Sequence, residues 1–232
     1  MNRNLEIKNF VEKAKRHLRP LLDESGRVLY SSVATLKKGP LYILGLNPAG
    51  IPESFQKKKK EDIIRYSLNN LAQRDENAYT GEVWKRPALQ KRLCWLVKNS
   101  FDCDIKDVCA SNLIFNRSIS AGDCGCPENA DICWPVHEMI IKIVQPKMLL
   151  VYGNSHTSPF AYLLKRARER TGGEALKFEE FHSGHSSWHC KAFVMELLGK
   201  HRTIIGLPHL SRYNVRGKQS VANWVRDWFK RS

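Results

Sequence analysis

Two short apolar runs, LYILGL at 41–46 and MLLVY at 148–152, constrain this chain most. Each is continuous rather than alternating, is of strand length, and is bounded by Gly or Pro, the pattern of a strand buried on both faces. Such strands belong inside a parallel sheet covered by helices, because crossover connections place a helix over each face. The rest of the chain supplies those helices. Leu5, Phe10, Val11, Ala14, Leu18, Leu21 and Leu22 recur at helical spacing over 5–22, and Leu89, Leu93, Leu96 and Val97 do so after Pro87. Further helices are predicted over 132–144, 159–170, 191–198 and 220–229, and further strands over 107–113 and 203–207. Strands alternating with helices predict an α/β fold, a three-layer α/β/α sandwich on a mainly parallel four-stranded sheet. We expect one domain over 1–232, with 1–38 as an N-terminal helical extension and 51–86 as a long insertion carrying a short helix near 62–71.

Charge narrows the partner. Thirty-eight Lys and Arg against 23 Asp and Glu leave a formal +15, and 42% hydrophobic residues are enough for a packed core. A basic folded protein suits a polyanion such as DNA. No apolar run approaches the roughly 18 residues of a membrane span, and the N-terminus MNRNLEIKNF has no apolar signal core, so a cytoplasmic protein with no membrane partner is expected. Seven cysteines in such a chain predict reduced thiols.

In open parallel sheets, ligands bind outside the carboxyl ends of the strands. That rule selects four loops: GLNPAG (45–50), SNLIFNRS (111–118), YGNSHTSP (152–159) and GLPHLSRYN (206–214). All four are rich in polar side chains, Gly or Pro.

GLNPAG after a buried strand, with GLPHLSRYN near the C-terminus, resembles the uracil-DNA glycosylase superfamily, whose first motif takes the forms GQDPYH, GINPG or GMNPG and whose second is HPSP. ASNLIFNRS is similar to the superfamily's TNVVKxR segment. CWPVHEMIIKIVQPKMLLVYG follows its order of cysteine, proline, helix, Pro-Lys, strand and Gly, so the resemblance spans roughly residues 39–215. It implies a DNA glycosylase that flips a pyrimidine nucleotide and hydrolyses its N-glycosidic bond, acting as a monomer without a cofactor. Asn47 would hold the attacking water, since an amide is not a strong base. His209 would donate to the pyrimidine O2 as negative charge gathers there. The second motif departs from the family, reading His209-Leu210-Ser211-Arg212 with neither proline of HPSP.

Asn112 would read the base edge, its amide complementing either uracil or cytosine. Leu46, Ala49 and Gly50 would line the base pocket, and Ala49 replaces the tyrosine that closes the C5 side in GQDPYH. An open C5 side implies 5-substituted or mismatched pyrimidines as substrates, bulky modified cytosines of phage DNA among them. Of the aromatics Phe55, Tyr79 and Trp84, Tyr79 is expected to stack on the base. Arg212 or Tyr213 would fill the gap left by the flipped nucleotide, and Ser211 belongs to the same DNA-contacting loop. Ser155 and His156, just before a helix, would meet phosphate, and Lys57 and Lys58 would touch the DNA backbone. Cys124, Cys126, Cys133 and His137 have metal-ligand types, but their spacing is C-x-C rather than a paired C-x-x-C, which leaves a metal there an open alternative; His182, His185, His189 and Cys190 read as loop and core residues, and no metal site is assigned. Two other functions stay open: a DNA-binding member of the fold without catalysis, and an N-glycosidase for free nucleosides or nucleotides, against which the charge counts.

Overall fold

Leu41 and Ile43 side chains enter one hydrophobic core, whereas Tyr42 and Leu44 enter another on the opposite face. The strand that carries them, β1 (Leu41–Gly45), is buried at every position. The structure is a computed structural model that describes residues 3–48, 63–73, 75, 77–80, 87–172 and 176–232. After helix α1 (Arg3–His17) and β1 come α2 (Ile64–Asn69), α3 (Ala88–Phe101), β2 (Cys109–Asn112), α4 (Glu128–Val144), β3 (Met148–Tyr152) and α5 (Pro159–Thr171). The chain then runs through β4 (Leu176–His182), β5 (His189–Leu197), β6 (Lys200–Leu207) and α6 (Gln219–Arg231).

The strands form one sheet in the order β2-β1-β3-β6-β5-β4. β2, β1, β3 and β6 are parallel, and β5 and β4 add antiparallel to the far side. The fold is the expected three-layer α/β/α sandwich. Helices α1, α4 and α5 cover one face, and α3 and α6 cover the other. Among the described residues the sheet has six strands, however, not four. Helical spacing in KAFVMELL suggested a helix over 191–198, but that segment is β5, where Ala192 packs on one face and Phe193 on the other. β4 escaped notice because its sequence, LKFEEFH, is charged as an edge strand must be to discourage further pairing. The segment 1–38 packs against the sheet's helical layer. Ile7, Phe10, Val11 and Ala14 of α1 are buried in the core beside α4, and Ser111 Oγ donates to the Val28 carbonyl, tying the following strap to β2.

β5 and β6 are joined by a two-residue hairpin in which Leu198 and Gly199 both take positive φ, +53° and +73°. The primed turns that match strand twist require this, and Asn-Gly is the usual solution. A leucine there is strained, and its side chain is exposed. Leu198→Asn is therefore expected to stabilise the protein by about 1 kcal/mol, read from the midpoint of urea unfolding at unchanged slope.

A second prediction concerns acid. His137 on α4 is wholly buried; its Nε2 donates to the Leu113 carbonyl at 2.9 Å and its Nδ1 accepts from the Tyr42 hydroxyl at 2.8 Å. Burial holds its pKa down to about 4. The unfolded chain takes up this proton near 6.5 and the folded one only near 4, so stability present above pH 6.5 is lost as the pH falls between those values. Unfolding at pH 7 and pH 4 should differ by on the order of 3 kcal/mol through this group, and His137→Gln should remove most of that difference.

Candidate active site

The sheet order places β1 beside β3. The helix α3 that leads from β1 toward β2 lies on one face, and α5, which follows β3, lies on the other. Neighbouring strands whose connections leave to opposite faces open a crevice at their carboxyl ends, where ligands of such sheets bind. The described parts of the four loops selected from the sequence lie at those carboxyl ends.

Asn47 lies two residues beyond β1. Its Nδ2 donates to Ser118 Oγ at 2.6 Å and to the Pro48 carbonyl at 3.1 Å. Both amide protons are thereby committed, and Oδ1 receives no hydrogen bond from any described residue, so it is an available acceptor. Asn112 ends β2 in register with Gly45 and is buried. The Tyr152 hydroxyl, at the end of β3, lies 3.5 Å from Asn112 Oδ1 and 3.3 Å from the Tyr79 hydroxyl, and Tyr30 approaches the same amide. A Cβ at position 45 would collide with both Asn112 Oδ1 and the Tyr152 hydroxyl, so only glycine permits this convergence. Burial pushes the phenols of Tyr30, Tyr79 and Tyr152 above their ordinary range, keeping all three protonated.

His209 follows β6, and its ring meets Tyr152 edge-on at 5.7 Å between centroids. The Ser211 backbone N–H donates to its Nδ1 at 3.2 Å, and Ser211 Oγ lies 2.7 Å from the same atom. An Nδ1 that accepts leaves the proton on Nε2, fixing the tautomer. Partial burial and the neighbouring Arg212 charge lower the pKa of His209, so the ring is held neutral with an N–H to donate.

Placement alters several expected roles. Tyr79 is buried with its hydroxyl turned to Tyr152, so it forms part of the site's floor and has no free face for a base to stack on. Tyr213 is wholly buried and donates to the Ser183 carbonyl at 2.7 Å, so of the two only the Arg212 side chain is exposed. The Leu46 side chain packs into the core, leaving only its backbone near the pocket. Ser211 serves His209 directly. Ser158, rather than Ser155 or His156, caps α5; Ser155 and His156 are exposed in the preceding loop. Ala49, Gly50, Phe55, Lys57, Lys58 and Trp84 lie outside the described residues. Both His137 nitrogens are bonded, His182 bonds within its own loop, and among the described residues no group of three or more His, Cys, Asp or Glu is placed to hold a metal.

Three residues missing from the sequence reading hold the site together. Tyr152 links Asn112 to His209, and its place as the last residue of the apolar run was the available signal. Ser118 orients Asn47. Arg92 of α3 donates from Nη1 to the carbonyls of Leu210 and Ser211 at 2.7 and 2.8 Å, bracing the His209 loop where the HPSP prolines are missing. Nothing in the local sequence marks an arginine 118 residues away as the brace.

Arg92→Ala should cost about 1–3 kcal/mol of stability, the range for hydrogen bonds from a charged donor, and should speed amide exchange at 209–213 selectively. Exchange unchanged in that loop would show that Arg92 does not brace it. No protein-family model matches the chain, and no curated protein matches it.

Proposed function

We propose that this chain is a monofunctional DNA glycosylase of the uracil-DNA glycosylase type, hydrolysing the bond between deoxyribose and a flipped pyrimidine. The observation that supports this is the pairing, at one sheet edge, of an asparagine whose Oδ1 accepts from no described residue and a histidine held neutral whose Nε2–H is bonded to no described residue. These are complementary needs of one reaction. As the glycosidic C1′–N1 bond breaks, its electron pair passes to the base and positive charge develops on the sugar. His209 Nε2–H donates to the pyrimidine O2 where the negative charge gathers; a neutral donor stabilises the anion without first giving up a proton. Asn47 Oδ1 accepts a hydrogen bond from the water whose oxygen joins C1′. Because an amide cannot retain a proton, the water's second proton goes to solvent, and the released base takes one up from solvent. Asn112 reads the base edge, and the +15 charge supplies affinity for the phosphates independent of sequence. None of the motif loops offers a lysine for a Schiff base, which favours simple hydrolysis to an abasic site.

Asn47→Ala should abolish base release while DNA binding persists, and His209→Ala should slow it by about 10²–10³-fold, the usual cost of one lost donor to a developing anion. Base release should stay level from neutral pH down past the ordinary histidine value of 6.5 and fall only below it, because the His209 pKa is lowered and the neutral ring is the active form. Full activity in Asn47→Ala would overturn the mechanism. The substrate follows from Ala49: oligonucleotides carrying uracil, mismatched thymine, hydroxymethylated or glucosylated pyrimidines should include cleaved members beyond uracil, and cleavage of uracil alone would refute an open C5 side.

A further inference from the structure

A cleft of about 380 Å³ lies between the His209 loop, the loop after β3 and the β4–β5 hairpin, and neither Asn47 nor Asn112 is in its lining. Its volume lies at the lower end of the roughly 300–1,000 Å³ of small-ligand sites. Trp188, Ser187 and Lys191 line it from the hairpin, and His209 and Arg212 line it from the loop after β6. Lys191 is paired with Glu180 at 3.1 Å, the one acidic residue in the lining. Arg212 makes no ion pair or side-chain hydrogen bond with any described residue and is exposed.

The walls are fixed before any ligand arrives. Tyr213 donates to the Ser183 carbonyl and Lys218 to the Gly184 carbonyl, fastening the hairpin tip to the loop after β6. Asn154 Nδ2 donates to the carbonyls of His189 and Gly206 at 2.7 and 3.2 Å, fastening the loop after β3 to both strands. Trp188 itself is steadied by an edge contact with His185 at 4.9 Å between ring centroids, while remaining partly exposed.

We propose that this cleft binds a second nucleotide of the same DNA strand, its base stacked on Trp188 and its phosphate met by Arg212. An aromatic face beside an unpaired cation is the combination by which single-stranded nucleic acid is held without sequence preference. His209 lines both the crevice and the cleft, so a strand entering one passes the mouth of the other. The inference rests on DNA being the substrate as proposed above, but concerns a site distinct from Asn47 and Asn112.

The test uses the full chain carrying Asn47→Ala and a fluorescent oligonucleotide of unmodified bases, so that no base release is involved. Trp188→Ala should weaken binding by about tenfold or more, within the range for loss of one base–aromatic stack, and Trp188→Phe should restore most of it. Ser187→Glu, an exposed change that adds a negative charge to the rim, should weaken binding without altering the thermal midpoint. Arg212→Ala should reduce the slope of log K against log salt by about one phosphate's worth. Binding unchanged in both Trp188→Ala and Ser187→Glu would overturn the cleft. Trp188-dependent binding by a parent chain that releases no base from any substrate would refute the glycosylase and leave the cleft standing. With Asn47 restored, base release at parental efficiency and affinity in both Trp188→Ala and Ser187→Glu would do the reverse.

Discussion

β1 has no surface of its own. Both its edges are paired in parallel, to β2 and to β3, and both its faces are covered by side chains and helices. Every backbone N–H and C=O along it must be satisfied within the sheet, which fixes its register against both neighbours. Parallel pairing then forbids tight hairpins among the central strands, so β1, β2, β3 and β6 all end at the same edge. The gathering of Asn47, Asn112, Tyr152 and His209 follows from that constraint, although they come from four separate stretches of chain. Gly45 is where the constraint is tightest. Its missing side chain lets an amide and a phenol meet over the end of β1.

The groups so gathered are formally neutral, in a chain whose net charge is +15. His209 is kept uncharged by its partial burial, by Arg212 and by a backbone N–H that occupies its Nδ1, and the three tyrosines are kept protonated by burial. Net charge and local charge thus serve different ends. Most of the described cations lie on the surface where solvent carries their cost, while the crevice offers oriented dipoles, which require no reorganisation when charge develops on a ligand.

The central strands were legible in the sequence because a strand buried on both faces leaves an uninterrupted apolar run. The antiparallel half was not. β5 satisfies a helical spacing by accident, β4 carries edge-strand charges, and the hairpin between β5 and β6 uses Leu-Gly in place of a recognisable turn pair. The placement of Asn47, Asn112 and His209 at one edge was legible through the loops, since the sheet rule needs only the strand ends. Tyr79 and Tyr213 were not, because a tyrosine in a polar loop reads the same whether its hydroxyl faces water or a buried carbonyl. Arg92 was invisible for another reason: its bonds reach across 118 residues to backbone atoms, which leave no mark on side-chain identity.

The braces on the His209 loop also set when the site comes into being. Arg92 waits for residues 210 and 211, Asn154 for His189 and Gly206, and Tyr213 for Ser183, so each joins segments far apart in the chain. Contacts of such long sequence separation form late, after the entropy of closing the intervening chain has been met. A nascent polypeptide that has emerged only as far as β3 would carry the first motif and Asn112 with no histidine to complete them. The crevice is in this way incomplete in partly folded chains, because the last strand of the parallel sheet in chain order is also the one that delivers the His209 donor.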